Sequence, residues 1–448
     1  MRARKRPSVF PPPAGRTQGK GTGVLAATVC CKGVAIVHDV YDPAELQPAS
    51  QRAGTQEVAF RRVVERAITV SPALRQALEA AGVSPERVTL ADLPRIPLLK
   101  KESLPGRQGE APPWGGWLAR PLADVRRIFV SPGPIYEPEG RMPDYWGFAP
   151  ALFAAGFRRG DIVLNTFSYH LTPAGAMFDG ALEALGSVVV PTGVGNIEIQ
   201  VKTLQDVRAR GLIGTPSFLA LVLDKVGERG ARSSLEVGFV SGEPLSESLR
   251  TDLESRHRMR IGQAYAIGDI GLIAYECSQR TGLHVAERVV VEIVDPATGA
   301  RLPDGEMGEV AVSFLSDLYP LLRLGTGDLS RIAPGSCACG RTSARLERIF
   351  GRVGDAVKVR GIFLHPHDLD RAMARYPEVA RYQAVVTRRE HQDELTVRLE
   401  TGGPQTRLGG AVADSVREVT RLRAIVEVLP PGTLGPNEKK LVDLRKWD

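Results

Sequence analysis

No stretch of about 18 uncharged apolar residues occurs, so the sequence offers no membrane-spanning helix. A long cationic run is missing too. The 58 Lys and Arg alternate with 51 Asp and Glu, leaving a net charge of +7 on 448 residues. That surplus is too dilute to call for nucleic acid, and it suits an anionic small molecule such as a nucleotide or CoA at least as well. Cysteine is scarce, with five in all, and Cys30 and Cys31 are adjacent. An odd count with such a pair is unlike a disulfide framework. It points to a reducing, cytoplasmic setting, in which clustered cysteines are more often metal ligands. There is no internal repeat.

What is present is globular in composition, 43% hydrophobic and 24% charged, and long enough for two domains. The start, MRARKRP, followed later by VLAATVCCKGVAIV, imitates a signal peptide. PPPAGRTQGKGTG separates the charges from the apolar run, and Lys32 interrupts that run, so residues 1–55 are expected to be a mostly loose leader. A helical pattern covers 57–81. From RRIFVSPGP to LEVGFVSGEPL, apolar strands alternate with helical segments, and turn signals sit just after the strands. This is α/β architecture with parallel strands, whose ligands bind at the carboxyl edge of the sheet. RVVVEIVDPATGARLPDGEMGEVAVSF predicts antiparallel hairpins, a β subdomain over about 270–350 attached to a large domain of 56–352. Residues 353–448 predict a small α+β domain.

Several segments, in order, resemble one family. IGQAYAIGDIGLIAYEC, DLSRIAPGSCACGRT, IFGRVGDAVKVRGIFLHP and LGPNEKKLVDLRK, with PRIPLLKKESL, TPSFL and SGEPL upstream, look like the core motifs of phenylacetate-CoA ligases. These belong to the adenylate-forming, AMP-binding superfamily of acyl-CoA synthetases. The resemblance implies a large N-terminal α/β domain and a mobile C-terminal domain. It implies ATP, Mg²⁺ and CoA as cofactors, with AMP as a product. The expected chemistry is an AMP-forming ligation in which a small, aromatic carboxylate attacks the α-phosphate of ATP and a thiol then attacks the adenylate. CoA or a carrier protein would supply that thiol. A homodimer is compatible with it, and neither nucleic acid nor membrane is an expected partner.

The same resemblance assigns roles. Asp328 would accept the ribose hydroxyls, although Gly-Asp is also common at β-turns. Gly242, Glu243 and Pro244 would line the adenine, or merely lead into a helix capped by Ser246. Tyr265 would pack near adenine, and Asp269 stands where the family has a magnesium-binding Glu, one methylene longer. Arg352 would contact the ribose near a hinge, at which Gly354 followed by Asp355 replaces the family's Asp-Asp. Lys440 would bridge carboxylate and α-phosphate, the alternative being a solvated charge run. Phe167, Tyr169 and His170 are candidates for the acyl pocket, or for a packed loop. Cys277, His284, Cys337 and Cys339 suit a tetrahedral structural Zn²⁺, or are buried thiols and an imidazole.

One segment departs from the family. Where a Ser/Thr/Gly-rich phosphate loop ends in Gly-Lys, this chain reads from Val130 to Glu139 as VSPGPIYEPE. Pro132 and Pro134 have no amide hydrogen to donate, and Glu137 and Glu139 would repel a triphosphate they faced. Three readings follow: compensation by Arg126, Arg127 or Arg141; transfer of an adenylate to an amine or carrier protein; or a binding or regulatory protein that has lost adenylation.

Overall fold

Two sheets and two separate apolar cores follow from the alternation of strand and helix along the large domain. The computed structural model describes residues 24–29, 35–230, 232–353, 357–359, 362–364, 366–389, 392–402, 408–435 and 438–445. Cys30, Cys31, Gly354 and Asp355 lie outside them.

The larger sheet has eight strands, in the spatial order Arg345–Leu346, Leu283–Val285, Gly271–Glu276, Arg260–Ile267, Val237–Val240, Gly211–Gly214, Ile162–Asn165, Val188–Val190. Arg260–Ile267 and the strands beyond it to Val188–Val190 are parallel. Gly211–Gly214 and Val237–Val240 are buried along their whole length, as strands covered by helices on both faces must be. Three of the crossover helices begin at a polar cap just past a strand end. Asn196, Thr215 and Ser246 accept from the amides of Ile199, Phe218 and Leu249 at 3.2, 3.3 and 3.2 Å. The cap at Ser246 is the one expected.

The second sheet runs Val289–Val294, Gly308–Phe314, Leu324–Ser330, Gly351–Arg352. Leu99–Lys100 pairs in parallel with Leu324–Ser330. The expected hairpins are here. The expected β subdomain, however, divides between the sheets. Residues 271–285 and 345–346 extend the eight-stranded sheet antiparallel to its neighbours, and only 289–330 build the second.

The loose leader expected through residue 55 is contradicted from Asp42 onward. Asp42 and Glu45 form a reciprocal capping box. Glu45 is buried and accepts from Tyr275 Oη at 2.8 Å and Arg341 Nε at 2.6 Å. The helix Ala49–Ala67 buries Phe60, Val63 and Val64. Polar residues that read as loop in the sequence thus satisfy a buried network. The helical pattern of 57–81 is two helices, because Pro72 cannot continue the first. Ser71 caps the second, Pro72–Ala80, accepting from the Leu74 amide at 3.3 Å.

The C-terminal part has its own sheet, Ala424–Leu429, Gln392–Thr401, Val379–Arg389, Leu441–Asp443, with the helices Pro366–Met373 and Leu408–Thr420. Leu369, Ala384, Val397, Leu399, Val412 and Val416 form a core separate from those of the large domain. A core of its own is what a domain that can rotate as a unit needs. Among the described residues, no helix is long and apolar enough to cross a membrane.

Candidate functional site

Asp328 lies on the strand Leu324–Ser330, directly opposite Arg352 on the neighbouring strand. The backbone pairing therefore sets a carboxylate against a guanidinium, with Oδ1 3.5 Å from Arg352 Nε. Tyr265, at the far end of a strand of the other sheet, donates its hydroxyl to Asp328 Oδ2 at 2.8 Å. The two sheets thus meet at one carboxylate. Burial pushes the Asp328 carboxyl up, an effect opposed by the Tyr265 hydroxyl, Arg352 and Lys101. Burial and the facing Asp328 also push the Tyr265 phenol well up, so it remains a donor. Three of the expected residues are brought together here.

Gly242, Glu243 and Pro244 are exposed at the carboxyl end of Val237–Val240. Gly242 sits at φ +82°, where a side chain would be strained. A Cβ there would stand 3.8 Å from the Phe167 ring and 3.9 Å from Thr215 Cγ2. The loops after three parallel strands therefore converge. Glu243 accepts from the Ser217 amide at 3.3 Å. Phe167 stacks on Phe178, centroids 4.9 Å apart and 14° from parallel. Tyr169 donates to Asp179 at 2.6 Å, an oxygen that Asn165 also reaches at 3.0 Å. His170 is exposed, and its amide donates to Ser168 Oγ at 3.1 Å.

Asp269 occupies the turn between Arg260–Ile267 and Gly271–Glu276. It is 1% exposed, and its Oδ2 lies 2.7 Å from Lys101 Nζ. Lys101 follows the short strand Leu99–Lys100 and was not singled out in the sequence. PRIPLLKKESL reads as a Pro-bounded loop entering a helix, and the parallel pairing of Leu99–Lys100 with Leu324–Ser330 sets Lys101 beside Asp269.

The atypical loop is a hairpin, Val125–Ser131 with Ile135–Gly140. Gln108 clamps Tyr136 by both backbone groups, at 2.8 and 2.9 Å. The arginines proposed as compensating cations are engaged elsewhere: Arg127 donates to Glu139 at 3.3 Å, Arg126 lies 3.9 Å from it, and Arg141 donates to the Ala123 carbonyl at 2.8 Å. Glu137 turns fully inward and accepts from Ser131 Oγ at 2.6 Å. Burial, then the neighbouring Asp269, push its carboxyl up to about 8.

Lys440 is not brought to Asp328. Its ammonium pairs with Asp370 and lies 5.4 Å from the Tyr382 ring centroid, both within the C-terminal domain.

The ligand atoms of Cys277, His284, Cys337 and Cys339 lie within 4.8 Å of one another. Cys277 and Cys337 sulfurs are 3.6 Å apart, and Cys339 Sγ is 3.4 Å from His284 Nε2. A tetrahedral zinc with Zn–S of about 2.3 Å has S–S edges of about 3.8 Å, so the donor set fits. The Cys339 thiol is pushed down by a hydrogen bond from Cys277, against the effect of burial and with help from His284. Ser343 Oγ stands 3.4 Å from the other His284 nitrogen, where it can orient the ring.

Residues 145–314 match the family model of AMP-binding enzymes, and 361–445 that of the AMP-binding enzyme C-terminal domain. The phenylacetate-coenzyme A ligase of Thermus thermophilus is 32% identical over 449 residues, covering 91% of this chain and 100% of that protein. That of Aromatoleum evansii is 30% identical over 390 residues, covering 82% and 86%. A crystal structure of 2-hydroxyisobutyryl-CoA ligase in an open conformation, with 2-HIB-AMP and CoA, is similar with a TM-score of 0.80. It is 24% identical, and the match covers 90% of this chain and 94% of that one. Identity that low establishes a shared fold and nothing finer.

Proposed function

The chain belongs to the phenylacetate-coenzyme A ligase family of AMP-binding enzymes, and from that premise we propose that it joins a small aromatic carboxylic acid to CoA through an acyl-adenylate. AMP-forming acid–thiol ligation is the family's activity. The observation that carries the site assignment is Asp328, held between Tyr265 and Arg352 where the two sheets meet.

Each residue then has a physical task. Asp328 offers its oxygens to the two ribose hydroxyls of the nucleotide, and its half-buried setting strengthens those charge-assisted hydrogen bonds. Tyr265 fixes the rotamer of that carboxylate. Gly242, bare of a side chain where the three loops converge, leaves room for the flat face of adenine, with Glu243 and Pro244 at its side. Phe167 stacked on Phe178 offers an apolar face next to that wall, which favours a planar acid over a branched aliphatic one. Asp269, an all-oxygen donor beside the expected phosphate position, suits Mg²⁺, which when bound would neutralise phosphate charge. Lys440 would act after the C-terminal domain turns. The Cys277, His284, Cys337 and Cys339 set would hold a structural zinc, consistent with a reducing, cytoplasmic setting.

Replacing Tyr265 with Phe is expected to weaken AMP binding about tenfold, since it removes one hydrogen bond to a charged group. Calorimetry with AMP reads it, and unchanged affinity would show that Asp328 is oriented without the tyrosine. The proposal itself is tested with purified protein, ATP, CoA and a panel of aromatic and aliphatic acids of equal size, scoring CoA thioester and AMP together. Aromatic acids should lead. Equal or better turnover of aliphatic acids would refute the substrate class, and transfer of the acyl group from the adenylate to an amine or a carrier-protein thiol, with free AMP leaving, would refute CoA as acceptor.

A further inference from the structure

Along the carboxyl edge of the eight-stranded sheet, the loops follow the strand order. Gly242 comes after Val237–Val240, Thr215 after Gly211–Gly214, Phe167 after Ile162–Asn165, and Gly193 after Val188–Val190, the last strand. A Cβ on Gly242 would stand 3.8 Å from the Phe167 ring, and one on Gly193 would stand 3.5 Å from the Tyr169 ring. The row therefore runs from the nucleotide side at Gly242, past Phe167, to Tyr169 at its far end. Tyr169 is 37% exposed, so a ligand can reach it. The helix Ala174–Leu185 supplies its partner, Asp179, next to Phe178.

The side-chain hydrogens of this cluster are all spent. Tyr169 donates its own to Asp179 Oδ1 at 2.6 Å. Asn165 donates to the Gly175 carbonyl at 2.8 Å and to the same Asp179 oxygen at 3.0 Å, and its oxygen accepts from the Phe167 amide at 3.2 Å. A carboxylate accepts only. Partial burial and the facing Asp179 push the Tyr169 phenol up, so it keeps its hydrogen. What the cluster still offers is lone pairs, on Tyr169 Oη and on Asp179 Oδ2, to which no described residue donates. Gln200 beside Gly193 repeats the pattern. It is 3% exposed, its amide donates to the Gly193 carbonyl at 2.8 Å, and its Oε1 has no hydrogen-bond partner among the described residues. This end of the row lacks hydrogens, not oxygens. Resting on the ligase reading, we infer that Tyr169 and Asp179 select an aromatic acid whose ring carries a hydrogen-bond donor, an amino or hydroxyl group, at the end remote from its carboxylate. Phe167 stacked on Phe178 takes the ring, and the donor reaches the two open acceptors. A methyl group in that place would leave both acceptors unpaired, which is how a polar pocket rejects an apolar analogue. A second carboxylate would meet the charge of Asp179.

The test compares phenylacetates bearing a meta or para amino group with their methyl counterparts, which have the same shape. Each pair is assayed with the full-length protein, ATP and CoA. The readout is the ratio of the two kcat/KM values, in which the amount of folded enzyme cancels. At one ring position the amino compound should be favoured about tenfold or more, the effect of a hydrogen bond to a charged group. Asp179→Asn keeps an oxygen for Tyr169 and Asn165 but presents an N–H donor in place of the open acceptor, so the preference should vanish. A wild-type preference below about twofold at both positions would overturn the inference, since a hydrogen bond to a charged group gives more. So would a preference that survives unchanged in Asp179→Asn. The wild-type ratio decides by itself if that variant does not fold. Equal turnover of amino and methyl compounds would keep the proposed function and lose this inference. If none of them yields a thioester, the ligase reading fails instead, and calorimetry of the same acids with the AMP-bound protein still reads the preference as a ratio of Kd values.

Discussion

Lys440→Ala is expected to lower adenylate formation by on the order of 10²–10³-fold, the usual cost of losing one pre-placed charge stabiliser. Thioester formation from a supplied acyl-adenylate stays within about twofold, because that step has no developing phosphate charge for the lysine to meet. The split follows from where Lys440 sits. It rests on Asp370 and the Tyr382 ring, in a domain with its own core, and not beside Asp328. It is half exposed in that ion pair, which therefore holds it only weakly and lets it leave. A turn of the small domain is required before it can meet an α-phosphate. Rapid-quench measurement of pyrophosphate and thioester separately reads the two steps. Equal loss of both would mean that Lys440 is structural. Survival of both would mean that another cation, with Lys101 the nearest candidate, performs the task.

The second large effect is on stability. Cys337→Ser is expected to release the metal and lower the first thermal transition by roughly 5–10 °C, as a loss of several kcal/mol does. The cluster spans three neighbouring strands at the edge of the eight-stranded sheet. Cys277 follows Gly271–Glu276, His284 lies on Leu283–Val285, and Cys337 and Cys339 precede Arg345–Leu346. Two of those strands are only three and two residues long. Such short strands do not hold an edge alone, so a metal clip is their main restraint. The buried Glu45–Arg341–Tyr275 network adjoins the ligands, since Arg341 lies two residues after Cys339 and Tyr275 stands directly opposite His284 in the strand register, so the N-terminal helix should loosen with them. Metal analysis by mass spectrometry alongside calorimetry checks this. A wild-type protein without zinc, or a Cys337→Ser protein with an unchanged melting profile, would leave these side chains as buried thiols and an imidazole.

How far the sequence could be read depended on whether a residue's partner was signalled locally. Asp328, Tyr265 and Arg352 were legible because each sits in a distinct short segment and the segments occur in order. The α/β alternation was legible because buried parallel strands leave continuous apolar runs. Lys101 was not, since nothing near it in the chain reveals that a two-residue strand pairs it beside Asp269, far along the sequence. Glu45 failed in the same way: its partners Tyr275 and Arg341 are 230 and 296 residues away, and its surroundings are polar. Glu137 reads in the sequence as hostile to a triphosphate it faces, but its inward turn depends on the bare backbone of Gly268, where a Cβ would stand 2.2 Å from its carboxylate, and no local pattern announces that. The division of the β region between two sheets was hidden because antiparallel strands look alike whichever sheet they extend.

Acid-dependent release of pyrophosphate from ATP tests the central claim most directly, since it needs neither CoA nor a correct guess about the acceptor. The account predicts release that requires Mg²⁺, requires a small aromatic acid, and falls to background in Asp328→Ala. No release with any acid of the panel, together with no ATP binding by calorimetry, would contradict it.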